Sequence, residues 1–118
     1  MIRVRAERGR EGFLFVIEAK GHANYAKQGQ DVVCAAVTAI VAACANALTD
    51  LLHVDVAYHM EAGDVGFRLK EVDARTKDVR LLTESCLLGL RQIAAGYPAN
   101  LCVREVPRER RDGGAPLA

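Results

Sequence analysis

The chain has no tryptophan, three prolines, three phenylalanines and three tyrosines among its 118 residues. So few aromatic faces leave little material for a base-stacking platform of the kind that binds single-stranded nucleic acid. Net charge is +1, with 16 basic against 15 acidic residues. No overall field therefore draws the chain to RNA or to an anionic membrane. The four cysteines, Cys34, Cys44, Cys86 and Cys102, form no CxxC pair, and none lies beside a histidine at zinc-ligand spacing. Each sits in an apolar stretch, as reduced thiols of a cytoplasmic protein would. Neither a metal nor a cofactor is expected. The start, MIRVRAERGREG, lacks the apolar core of a signal peptide. The Ala-rich run from Val32 to Leu48, interrupted by Thr38 and Asn46, reads as too short and too mild for a membrane span.

What is present is an ordinary globular balance, 51% hydrophobic and 26% charged. A chain of this size buries roughly two-thirds of its unfolded surface and can hold one core without staples. Ile2, Val4 and Ala6 alternate with charged residues, the period of a half-buried strand. After the turn residues RGREG, the run Phe13 to Ile17 is apolar on both sides and reads as a strand buried on both faces. A helix is expected from Val32 to about Leu52, capped by Asp31 and made slim by its alanines. Two more alternating runs, Val54 to Met60 and Val65 to Leu69, flank the turn EAGD. A second amphipathic helix follows over Arg75 to Ala95, ended by Gly-Tyr-Pro, and then a last strand at Leu101 and Val103. The order is ββαββαβ, an α+β fold with one mixed sheet and both helices packed on one face. Residues 1–106 form a single domain, and 107–118 (PRERRDGGAPLA), without apolar pattern, read as a disordered tail.

One connection is out of proportion. Strand-to-helix loops usually take about 2–6 residues, yet Lys20 to Asp31 takes at least twice that and has no proline to stiffen it. It begins at Gly21-His22 and ends at a helix whose first turn carries Cys34. A thiolate, not a thiol, is the nucleophile. The helix dipole contributes about 0.3–1 kcal/mol toward an anion there, too little alone to ionise a thiol at neutral pH. A nearby imidazolium supplies the rest, and His22 is the histidine placed for it if the loop ends meet. Slack in such a loop suits a lid. Asp31 reads either as the helix cap or as the third member of a triad orienting His22. Thr38 lies one turn past Cys34, within reach of the site. Gly21 and Gly29 permit positive φ and close approach of a peptide. First-turn N–H groups, that of Cys34 included, are candidate oxyanion donors. Each residue also has a plain role: a Cys at a helix start is commonly a small buried hydrophobe, and loop glycines commonly just turn the chain. Cys44, Cys86 and Cys102 read as core, and His53 and His59 as solvent-facing.

The stretch GHANYAKQGQDVVCAAVTAI, residues 21–40, resembles the GHA…G.DIVCAAVSAL signature of the ribosomal-processing cysteine protease family. The similarity runs along nearly the whole chain and weakens past Val106. It implies a cytoplasmic cysteine endopeptidase that removes a short N-terminal extension from a large-subunit ribosomal protein. The family's catalytic Cys falls on Cys34, its His on His22 and its pre-helix Asp on Asp31. Where the family commonly has Ser, this chain has Thr38, which keeps the hydroxyl and adds a methyl. The resemblance also implies a homodimer with no membrane and no direct nucleic-acid partner. Two other functions fit the sequence: a non-catalytic dimeric ribosome-assembly factor that holds the same protein, and a thiol redox sensor, which lacks a resolving cysteine within reach of Cys34.

Overall fold

The computed structural model describes residues 1–108, 110–111 and 115–116. Strand β1 (Ile2–Arg8) and strand β2 (Leu14–Lys20) form an antiparallel hairpin, with a bulge between Glu7 and Arg8. Helix α1 (Val32–Asp50) follows, then β3 (Val56–Glu61) and β4 (Asp64–Leu69). A single helical turn, α2 (Glu71–Ala74), precedes helix α3 (Lys77–Gly96), and β5 (Leu101–Pro107) closes the sheet. A two-stranded pairing of β6 (Arg110–Arg111) with β7 (Ala115–Pro116) lies beyond it. The expected tail over 107–118 falls in part on Glu109, 112–114 and 117–118, outside the described residues.

The sheet order is β3-β4-β2-β1-β5. All pairings are antiparallel except β1 with β5, which runs parallel from Ile2↔Leu101 to Arg8↔Pro107. The sheet is therefore mixed, as the element order implied. Direct cross-strand partners share a face, so Val4, Ala19 and Val65 form one buried row and Ala6, Ile17 and Phe67 another. Fully burying a side chain of Val, Leu or Phe size contributes about 1.5–3 kcal/mol. Helices α1 and α3 cover this apolar face and pack on each other, with the Cys44 thiol 3.6 Å from the Leu82 carbonyl oxygen. Leu14, Phe15, Val16 and Ile17 are all buried, so β2 is enclosed on both sides.

Helix α1 has a buried stripe of Val33, Val37, Val41, Cys44, Ala45 and Leu48. At 19 residues and a mean hydropathy of 2.1 it is long and apolar enough to cross a bilayer by length and composition, contrary to the sequence expectation. A third of that stretch is buried within the fold. Arg8, the last residue of β1 just past the bulge, forks onto Glu84 of α3 at 2.6 and 2.8 Å and also reaches Glu105 of β5. This clamps α3 to the far edge of the sheet and leaves the opposite edge, β3, next to the loop that carries His22.

Candidate active site

Where β2 ends, Gly21 turns the chain off the sheet at φ +102°. A side chain there would put its Cβ 2.6 Å from the Met1 carbonyl oxygen. Its N–H still donates to the carbonyl of Gly63, in the β3–β4 turn, at 2.9 Å. His22 follows, exposed, with its ring against Gly63. Ala23 is buried, and its N–H donates to Sγ of Cys34 at 3.3 Å. The two ends of the long connection thus meet where the Ala23 N–H, one residue past His22, reaches Cys34 Sγ.

The loop between them is anchored at three places. The Asn100 side-chain amide donates to the Ala23 carbonyl at 2.9 Å. Tyr25 stands edge-on to Tyr97, with ring centres 5.3 Å apart and planes at 86°. Asp31 does the most. Its carboxylate accepts from Tyr25 and Ala26 in the loop (2.9 and 3.2 Å) and from Val33 and Cys34 in the helix (3.0 and 3.1 Å). Burial acts to raise its pKa, but the N–H groups of Cys34, Ala26, Tyr25 and Val33 outweigh this and hold it below the usual carboxylate range. Asp31 is therefore helix cap and loop staple at once, its oxygens occupied by backbone N–H groups. Gly29, at φ +87°, turns the loop back toward it with open space where a Cβ would be.

Cys34 is half-buried in the first turn of α1. Three first-turn N–H groups are committed: those of Val33 and Cys34 to the Asp31 carboxylate, and that of Ala35 to the Asp31 carbonyl at 3.1 Å. Thr38 lies one turn on, at the same pocket. That pocket, about 710 Å³, runs between the loop, the start of α1 and the β3–β4 hairpin. It contains His22, Cys34, Asp31, Thr38, Gly21 and Gly29 together. Ile2, Val37, Met60 and Val65 make much of its wall apolar, and Glu61 and Asp64 bring acid to one side.

The hairpin side of this pocket was invisible in sequence. EAGD announces a turn, but no local signal says what the turn faces. His59, expected in solvent, remains partly exposed and pairs with Asp64 at 2.7 Å across that hairpin. The remaining cysteines stand apart. Cys44 and Cys86 are buried, and the hydrogen bond from Cys44, together with burial, pushes the Cys86 pKa far above the ordinary thiol range. Cys102 is half-buried in β5.

A family model described as cysteine protease Prp matches residues 1–102. The ribosomal processing cysteine protease Prp of Bacillus subtilis is 34% identical over 108 residues, covering 87% of this chain and 96% of that protein. Among solved structures, SMU.848 of Streptococcus mutans superposes with a TM-score of 0.79 at 30% identity, covering 91% of this chain and 95% of the other. The Staphylococcus aureus processing protease Prp, solved with a covalently linked product peptide, shares the fold with a TM-score of 0.82 at 23% identity, covering 90% of this chain and 100% of that one. A match that runs through both ends of the long loop and on to the start of β5 leaves one conclusion, that this chain belongs to the cysteine protease Prp family and is a cysteine peptidase.

Proposed function

We propose that this chain removes a short N-terminal extension from a large-subunit ribosomal protein in the cytoplasm, with Cys34 as nucleophile and His22 as its base. The observation that carries this reading is the convergence at one sulfur: the Ala23 N–H reaches Cys34 Sγ, and the residue before Ala23 is His22. The substrate class follows from the B. subtilis and S. aureus relatives, both named as ribosomal processing proteases. The apolar wall of the pocket suits an extended peptide with aliphatic or aromatic side chains.

In the proposed reaction His22 takes the thiol proton, and the thiolate attacks the scissile carbonyl to give a tetrahedral adduct. The imidazolium then gives its proton to the departing amine as the C–N bond breaks. Water, activated by the same ring, hydrolyses the thioester and restores the thiol. The Cys34 N–H is held by Asp31, and the Ala23 N–H, which donates to the resting sulfur, can turn to the oxyanion once the sulfur has spent its charge on the new C–S bond. Asp31 acts by holding loop and helix in register, and Thr38 shapes the pocket one turn below Cys34. Gly21 and Gly29 set the course of the loop over the bound peptide. The working form is a homodimer.

The test is mass spectrometry of a synthetic peptide spanning the extension of the organism's ribosomal protein, incubated with the protein and with Cys34→Ala. Cleavage by the first and none by a folded Cys34→Ala variant is expected. Binding without any product from the unaltered protein would instead identify a holding factor, and cleavage by Cys34→Ala would move the chemistry elsewhere.

A further inference from the structure

The β3–β4 turn lies 29 residues beyond Cys34 in sequence at Gly63 (63 − 34), yet it forms a wall of the same pocket. Gly63 has φ +74°. A Cβ built on it would lie 2.7 Å from His22 Nε2 and 3.0 Å from Cε1. Real Cβ atoms do not come so close to ring atoms, so the imidazole occupies the space that a side chain at 63 would fill. The turn is itself fixed against the loop. The β2–β4 ladder ends at Lys20↔Asp64, and the Gly21 N–H adds one further bond to the Gly63 carbonyl at 2.9 Å. On the other side, His59 and Asp64 brace the hairpin at 2.7 Å. The residues before and after the bond therefore place His22 and Gly63 face to face.

We propose that Gly63 is a positioning residue for the reaction: its bare Cα is the seat on which the His22 imidazole rests at the pocket that holds Cys34. This rests on the assignment of His22 as the base of Cys34. The seat is steric. The charged groups lining the same pocket are Asp31, Glu61 and Asp64; Asp31 is occupied by backbone N–H groups and Asp64 by His59. A methyl group at 63 pushes the ring out of its place without altering any of these charges.

The experiment follows Cys34 alkylation by iodoacetamide from pH 5 to 9, read by mass spectrometry, with cleavage of the extension peptide in parallel. Gly63→Ala is expected to slow labelling of Cys34 by at least about tenfold at pH 6 and little at pH 9, where a free thiol ionises unaided. Gly63→Asn, whose side chain tolerates left-handed backbone, carries the same Cβ with less strain and is expected to behave alike. It also keeps the test open if Gly63→Ala does not fold. Gly12→Ala is the strain control: Gly12 has φ +89° and nothing within 4 Å of a Cβ, so it is expected to lower the melting temperature and leave the profile unchanged. A wild-type profile in folded Gly63→Ala or Gly63→Asn, beside a shifted one in His22→Ala, overturns the seat alone. An unshifted profile in His22→Ala overturns both the seat and the pairing of His22 with Cys34.

Discussion

The edge-on contact between Tyr25 and Tyr97 ties the middle of the long loop to the end of α3. Aromatic pairs of this geometry contribute about 0.5–1.5 kcal/mol beyond their buried area. Tyr25 is 51% exposed, so the lower part of that range applies, about 0.5–1 kcal/mol. At about 1.4 kcal/mol per tenfold change, its loss multiplies the open population of the loop by about two- to fivefold. Opening must break the bonds from the Tyr25 and Ala26 N–H groups to Asp31, so hydrogen exchange at these two amides reads the effect directly. Tyr25→Leu and Tyr97→Leu keep apolar bulk and remove the ring geometry. Each single variant is expected to speed exchange at both amides by about two- to fivefold, and the double variant by little more than the stronger single. Exchange in the double variant equal to the product of the singles would show no coupling and refute the role assigned to the ring pair.

Two further outcomes follow from the site and the core. Asp31 has a folded-state pKa below its ordinary value, so its contribution is fully present above the unfolded pKa of about 4 and is lost as pH falls through the folded one. Asp31→Asn is therefore expected to melt lower than the unaltered protein at pH 7, with the gap narrowing by pH 3; an equal gap at both would remove the charge from its role. Leu48, fully buried near the far end of α1, is a core position remote from Cys34, and Leu48→Ala is expected to cost about 3–5 kcal/mol in denaturant unfolding. Extension-peptide cleavage by the folded fraction should stay within about twofold, and a loss of cleavage without a loss of stability would contradict this separation of core from site.

The sequence by itself pointed to β1 to β5, to helices α1 and α3 and to a cysteine peptidase, but not to α2, β6 or β7. Period-two runs mark β1, β3 and β4, and the continuous apolar run marks β2, because burial on one face or two leaves different patterns along a strand. Asp31 announces the start of α1, and the oversized connection from Lys20 points to His22 and Cys34, because a cap and a loop length are local properties of the chain. Local signals also misled. The Cys34 N–H looks available in sequence but is spent on Asp31, whose second oxygen reaches back to Tyr25 and Ala26. Only tertiary structure decided that β4 lies beside β2 and β5 beside β1, since strand pairing is chosen among residues far apart in the chain. That pairing brings Gly63 under His22 and makes Met60, Val65 and Asp64 walls of the pocket. A turn motif records its own backbone geometry, and nothing in its four residues can encode the imidazole it comes to face.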